Sequence, residues 1–63
     1  MIVVITKAIT LDPTYADGYF RRGLAYMGVG KMAEAKADFN KLLELQPTGP
    51  QADVAKKALA SIK

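Results

Sequence analysis

"YADGYFRRGLAY", residues 15–26, is the stretch that decides the fold, because its apolar side chains recur with the period of a helix. The apolar positions in and just beyond it are Tyr15, Tyr19, Phe20, Leu24, Tyr26 and Met27. Intervals of three and four residues favour a helix with a broad apolar face over a strand. We predict a helix over residues 14–28, with Thr14 as its cap and Asp17 completing an approximate capping box. Gly30 is expected to end it in the left-handed conformation.

A second helical period follows these glycines and predicts an antiparallel partner helix. Its apolar positions are Met32, Ala35, Phe39, Leu42 and Leu43. Pro47 stops this helix, and the short connection makes the two helices a hairpin. Pro50 suits a first helical position and opens a last amphipathic helix over residues 50–63.

The secondary structure of the first segment, Ile2 to Thr10, does not follow from its composition alone. Its run of β-branched residues from Ile2 to Thr6 has poor helix propensity. A strand whose exposed edge pairs with another chain is therefore the alternative. Because this segment stands where the second helix of an earlier hairpin would fall, we predict a helix. The predicted fold class is all-α, with about four helices in antiparallel hairpins.

An internal repeat supports that placement. "AITLDPTYA", residues 8–16, and "KLLELQPTGP", residues 41–50, both end an apolar helical stretch with Leu, a polar residue, Pro and Thr. Pro13 and Pro47 stand 34 residues apart, as do Leu11 and Leu45. Few architectures use a period of this length, and those that do stack helical hairpins.

The residues that carry this period resemble the tetratricopeptide repeat family. The family's aromatic, small and proline positions are filled by Tyr19, Gly23, Tyr26, Ala35, Phe39 and Pro47. Two positions depart from its pattern, since Arg22 stands where leucine is usual and Leu42 where alanine is usual. The resemblance implies the second helix of a preceding repeat in residues 1–13, a full repeat in residues 14–47 and a capping helix in residues 50–63.

The resemblance also implies a function, because the first helix of such a hairpin lines a concave groove that binds a protein or peptide partner. The groove positions are Asp17, Phe20, Arg21, Leu24, Met27 and Gly28. The stretch is similar, too, to the third repeat of co-chaperones that grip a C-terminal carboxylate with a lysine and an arginine. Arg21 matches the arginine, whose planar fork suits a carboxylate. Asp17 replaces the lysine and would repel that ligand, so we do not expect a full clamp.

Two other interpretations of these residues stay open. Arg21 can be a solvated charge and Phe20, Leu24 and Met27 ordinary core. The chain can also be a self-associating unit, a homo-oligomer or part of a longer array, since such repeats need about three neighbours to bury their faces. The apolar run from Ile2 to Ile5 would then pair between copies.

Composition excludes several classes of function. Of 63 residues none is cysteine or histidine, so the usual metal sites and the commonest general base are missing, and we expect no metal site, no cofactor and no catalysis. "GVGK" lacks the spacing of a phosphate-binding loop. A net charge of +3 without a basic cluster argues against nucleic acid. The N-terminal apolar run is too short for a signal or a membrane span. We expect a soluble chain, with the cytoplasm favoured although the sequence leaves the compartment open.

Overall fold

Four helices follow one another along the chain, and each packs against its neighbour. The computed structural model describes residues 2–62; Met1 and Lys63, which the sequence assigned to the first and last segments, lie outside the described residues. The helices are α1 (Ile2–Leu11), α2 (Ala16–Gly28), α3 (Met32–Leu45) and α4 (Pro50–Ser61). Helix α2 packs most extensively on α3, α1 packs on α2, and α4 packs on α3 and less on α2. The predicted all-α fold of four helices is confirmed.

The boundaries of the helices repeat with the offset seen in the sequence. Helix α1 ends at Leu11 and α3 at Leu45, while α2 begins at Ala16 and α4 at Pro50. The two helix ends are 34 residues apart, and so are the two helix beginnings. The internal repeat is therefore a repeat of structure, in which α1 corresponds to α3 and α2 to α4.

Helix α1 forms in spite of its β-branched composition. Ile9 is buried against the core, and Ile5 packs partly on it. Thr10 donates its hydroxyl to the carbonyl of Thr6 at 2.9 Å, which satisfies that side chain inside the helix. Packing of one apolar face supplies most of the stability of a short helix, so it outweighs weak intrinsic propensity here. The prediction of a helix over the first segment is confirmed, and the strand alternative is wrong.

The turn before α2 differs from the predicted cap. Asp12 Oδ1 accepts hydrogen bonds from the backbone N–H of Thr14 at 3.1 Å and from its hydroxyl at 2.7 Å. These bonds hold the pKa of Asp12 below its ordinary value. The residue at the N-cap position is Tyr15, and its side chain makes no capping hydrogen bond. The predicted Thr14 cap is wrong, because the Thr14 hydroxyl is already bonded within the turn.

The end of α2 matches its prediction. Gly30 has a φ of 81°, in the left-handed region. Its N–H donates to the carbonyl of Met27 at 3.1 Å, and the N–H of Lys31 donates to that of Tyr26 at 2.8 Å. This pair of bonds satisfies the last carbonyls of α2 and turns the chain into α3.

The core of the hairpin is the crossing of α2 and α3. Phe39, Leu42 and Ala35 on α3 have no exposed surface. A Cβ atom placed on Gly23 would lie 2.8 Å from Cε1 and 3.0 Å from Cζ of Phe39, closer than atoms of a real side chain can come. Glycine at this position therefore sets the spacing of the two helices. Ala55 of α4 belongs to the same core, and Ala52 on that helix is also fully buried.

An ion pair beside this crossing joins the two helices and was not foreseen. Arg22 Nε and Nη2 donate to Asp38 Oδ2 and Oδ1 at 2.8 and 2.7 Å, a bidentate geometry. Asp38 is only 4% exposed. The Arg22 guanidinium carbon lies 5.8 Å from the ring centres of both Tyr19 and Tyr26. Its Nη1 also reaches the hydroxyl of Thr6 on α1 at 3.3 Å, so one side chain contacts three helices.

The close approach at Gly23 makes a prediction about stability. Gly23→Ala should lower the free energy of unfolding by about 1–3 kcal/mol, because the added methyl group meets a fully buried ring that has no room to move. Urea unfolding followed by circular dichroism at 222 nm measures this.

Gly28→Ala is the matched control, since nothing lies within 4 Å of the added Cβ there. It should raise the free energy of unfolding by about 0.5–1 kcal/mol through helix propensity alone. A gain in stability from Gly23→Ala as well would contradict the packing argument.

Candidate functional site

An open cleft lies between α1 and α2 and collects two of the predicted groove residues. Its volume is about 600 Å³, and its lining residues are Val4, Ile5, Arg21, Leu24 and Ala25. Arg21 is the one charged residue among these five. We call this surface the α1–α2 cleft. Val4 is 71% and Leu24 is 43% exposed, so large apolar side chains face solvent on both walls. Clustered exposure of this kind marks an interaction surface more often than isolated apolar residues do.

The other four predicted groove residues lie outside the cleft lining. Phe20 and Met27 are half-buried and pack against the core. Gly28 is exposed at the end of α2. Asp17 is half-buried and is tied to α4 by Gln51, whose Nε2 donates to Asp17 Oδ1 at 2.6 Å. Sequence reasoning therefore placed Arg21 and Leu24 at a free surface together with residues that the structure directs to the core or to α4.

Sequence reasoning also missed the α1 wall of the cleft as part of the same surface. The sequence pattern predicts a helix that contains Val4 and Ile5 and, in the self-association alternative, pairing of this run between copies, but no contact with Arg21 or Leu24. Their relation to Arg21 and Leu24 depends on how α1 crosses α2, which a linear pattern does not contain. The 34-residue offset did not supply this relation, because it aligns Val4 and Ile5 with Asp38 and Phe39, which contact the helix that precedes α3.

The residues of the repeat signature form the support beneath this surface. Tyr19 is 8% exposed and donates its hydroxyl to the carbonyl of Pro13 at 3.0 Å. Gly23, Ala35 and Phe39 are buried, Tyr26 is half-buried, and Pro47 is exposed between α3 and α4. Of the two adjacent arginines, Arg22 packs between the helices of the hairpin and Arg21 lines the α1–α2 cleft.

Asp17 is the electrostatic partner of Arg21. Arg21 Nε donates to Asp17 Oδ2 at 2.6 Å, and the Tyr15 hydroxyl donates to the same oxygen at 3.3 Å. The hydrogen bond from Arg21, followed by that from Gln51, holds the pKa of Asp17 below its ordinary value, although burial acts in the opposite direction. The Arg21 side chain is still 65% exposed. Asp17 thus partly neutralises the Nε edge of the Arg21 guanidinium, while most of the Arg21 side chain stays exposed to solvent.

Residues 2–62 contain neither a membrane-spanning helix nor a cluster of metal ligands. None of the helices within residues 2–62 combines the length and the apolar character that a bilayer crossing requires. Among the same residues, no three acidic, histidine or cysteine side chains come together as a metal ion would need.

The lowered pKa of Asp17 predicts a dependence of stability on pH. A carboxylate whose pKa is lowered by folding contributes stability above its unfolded pKa, about 3.9 for aspartate, and loses it as the pH falls through the folded value. Asp17→Asn should therefore cost about 0.5–1 kcal/mol near pH 7, and the difference from the wild type should vanish toward pH 2. Urea unfolding between pH 2 and 7 measures this difference.

Asp53→Asn is the control, because Asp53 also stands in the first turn of a helix. It shares the favourable position at the positive end of the helix dipole, and Lys57 stands four residues on, but within residues 2–62 no ion pair joins the two side chains. A loss at pH 7 as large as that of Asp17→Asn would show that the helix terminus, and not the contacts to Arg21 and Gln51, carries the effect.

The sequence of this chain matches a family of known proteins. Residues 16–48 match the family model described as Tetratricopeptide repeat. The chain is 41% identical over 46 residues to the Tetratricopeptide repeat and J domain-containing co-chaperone DNJ1 of Fusarium oxysporum f. sp. lycopersici, covering 73% of this chain and 9% of that protein. It is 44% identical over 46 residues to the peptidyl-prolyl cis-trans isomerase FKBP4 of Homo sapiens, covering 73% of this chain and 10% of that protein.

A third relative is the RNA polymerase II-associated protein 3 of Homo sapiens, 47% identical over 45 residues, with 71% of this chain and 7% of that protein covered. The chain thus spans about a tenth or less of the length of these curated relatives. No solved structure matches the chain. Because the family model covers more than half of the sequence, and the four helices have the repeat's offset, the chain belongs to the tetratricopeptide repeat family, whose repeats generally mediate protein–protein interactions.

Proposed function

We propose that this chain is a non-catalytic module that binds a peptide or helical segment of a partner protein through the concave face of α2. The observation that carries the proposal is the α1–α2 cleft, in which Arg21 and Leu24 of α2 stand beside Val4 and Ile5 of α1. Its volume of about 600 Å³ is in the range that holds several side chains of a ligand. The apolar lining of the cleft supplies affinity for a ligand, and its one charged residue, Arg21, orients that ligand.

We also propose a division of the chain that explains why binding concentrates at this end. Helix α1 is the second helix of a preceding repeat, α2 and α3 form the full repeat, and α4 caps it. Support comes from the residues that α4 carries at the offset of 34, where Asp53, Lys57 and Ala60 replace the two tyrosines and the glycine of α2. A lysine at the crossing position prevents the close approach that Gly23 allows.

The names of these relatives are consistent with a general role in protein binding. One of them is named as a co-chaperone and another as an associate of RNA polymerase II. The third is named as an isomerase, but this chain matches only 10% of its length. We therefore carry over the interaction role of the repeat and no activity of a whole relative.

A pair of matched substitutions tests the proposed surface. The ligands are peptides selected from a random library for binding to the wild-type chain. Leu24→Asp should weaken their binding at least about tenfold, because it places a charge in the apolar lining of the α1–α2 cleft. Isothermal titration calorimetry measures the affinity, and circular dichroism checks that the chain remains folded.

Val54→Asp is the control, since Val54 on α4 is 42% exposed and Leu24 is 43% exposed. It introduces the same charge on another helix and should leave affinity within about twofold. Equal losses from both variants, or none from Leu24→Asp, would assign the binding surface elsewhere.

A second candidate function, self-association through α1, is favoured by the exposure of its apolar side chains. Val3 is 80% and Leu11 is 82% exposed, in addition to Val4. Burying such surface between copies would stabilise a chain too small to bury more than about 60% of its unfolded surface alone.

This candidate predicts a molar mass above 6.8 kDa that rises with concentration. Val3→Lys should return the mass to that of the monomer and lower the helix content, because the paired surfaces would again face water. Light scattering on a sizing column over a tenfold range of concentration measures both variants. A monomeric wild type across that range would reject self-association.

A further inference from the structure

We infer that Arg22 couples α1 to α3, so that Asp38 on α3 fixes how α1 docks on α2. Within residues 2–62, α1 packs on α2 and α2 packs on α3, but α1 and α3 do not pack on each other. Arg22 on α2 bonds to both of them, to Asp38 on α3 and to Thr6 on α1. The coupling lies inside the described helices and does not depend on what binds the α1–α2 cleft.

The ion pair fixes the direction in which Arg22 can donate. A guanidinium is planar and rigid, and its donors form a fork. Nε and Nη2 both donate to the carboxylate of Asp38, at 2.8 and 2.7 Å. The ring centres of Tyr19 and Tyr26 lie 5.8 Å from the guanidinium carbon, and 18% of the arginine side chain is exposed. With its plane held in this way, the guanidinium directs Nη1 toward α1, where it donates to Thr6 Oγ1 at 3.3 Å.

Thr6 lies on a side of α1 that stays at the surface in both copies of the repeat. Its counterpart at the offset of 34 residues is Asn40, which is exposed although α2 and α4 both pack on α3. Val3 and its counterpart Ala37 are exposed as well. Thr6 itself is half-buried, and its hydroxyl accepts the bond from Arg22. The contact between Thr6 and Arg22 therefore belongs to the packing of the described helices and not to an uncovered helix face.

The docking of α1 requires a directional contact, because its apolar side chains do not define a single face. Residues 2–5 are four consecutive apolar residues, which point to all sides of a helix. Of the α1 side chains, Ile9 alone is fully buried. Apolar burial has no direction and distinguishes poorly between orientations of this first turn, whereas a hydrogen bond to a fixed donor distinguishes them. The orientation of α1 on α2 is thus specified at Thr6 by a donor that Asp38 holds in place.

A double-mutant cycle between Thr6 and Asp38 tests the coupling. Thr6→Val removes the hydroxyl with little change in helix propensity, and Asp38→Asn removes the charge that holds two arginine nitrogens. Thr6→Val should speed hydrogen exchange of the α1 backbone amides about fivefold in the otherwise wild-type chain, as measured by NMR. In Asp38→Asn the same substitution should change that exchange by less than about twofold, because the donor is no longer fixed.

Thr10→Val is the matched control on the same helix. It removes a hydroxyl that donates to the carbonyl of Thr6 inside α1 at 2.9 Å, and within residues 2–62 no hydrogen bond joins it to Arg22. Its effect on exchange should be the same in the wild type and in Asp38→Asn.

Arg22→Lys supplies a second background, in which the positive charge is kept but the fork is lost. Thr6→Val should again change the exchange of the α1 amides by less than about twofold there. Circular dichroism checks the helix content of each background, and Arg22→Lys provides the comparison if Asp38→Asn lowers that content.

An effect of Thr6→Val as large in the two backgrounds as in the wild type would overturn the inference, because independent contacts add. The absence of any effect of Thr6→Val in the wild type would overturn it too. So would a Thr10→Val effect that disappears together with that of Thr6→Val, since Asp38 would then support the whole of α1 and not this contact. The inference stands if the Thr6→Val effect is lost in both backgrounds while the Thr10→Val effect is retained.

Discussion

The contact between Gly23 and Phe39 is the constraint on which the rest of the structure depends. It lets α2 and α3 approach until no Cβ fits between them at that point. At this spacing the neighbouring Arg22 reaches Asp38 with both nitrogens. The same approach closes Leu42 and Ala35 from water, and the two alanines of α4 pack on the resulting surface. A larger residue at position 23 would separate the helices and weaken each of these contacts together.

The adjacent arginines show how one helix separates a largely buried charge from an exposed one. Consecutive residues on a helix point about 100° apart, so Arg22 enters the hairpin while Arg21 remains at the cleft. Arg22 is held between two tyrosine rings and a carboxylate, and its attraction to Asp38 keeps its pKa above the ordinary value of arginine. Such a buried pair adds little net stability but penalises any register that separates the two charges. The charge that stays exposed is therefore that of Arg21, which is paired with Asp17.

The first and last described helices differ in the side chains that they expose. Helix α4 has two fully buried alanines, and its Lys56 and Lys57 are exposed. Helix α1 has the same register as α3 but keeps apolar side chains where α3 has a buried partner.

The sequence alone determined the last three helices, the hairpin, the glycine that ends α2 and the 34-residue repeat, because these depend on local periodicity and backbone preferences. Helix α1 followed from the repeat offset and not from its own composition, since packing of Ile5 and Ile9 outweighs its weak helix propensity. It did not determine the cap of α2, since the Thr14 hydroxyl had two possible partners and the turn geometry selected Asp12. Nor did it reveal that Arg22 pairs with Asp38, or that Arg21 and Leu24 meet Val4 and Ile5 while Phe20 and Met27 turn to the core. Those relations join residues 16 or more positions apart, and only the angle and spacing of packed helices decide which of them touch.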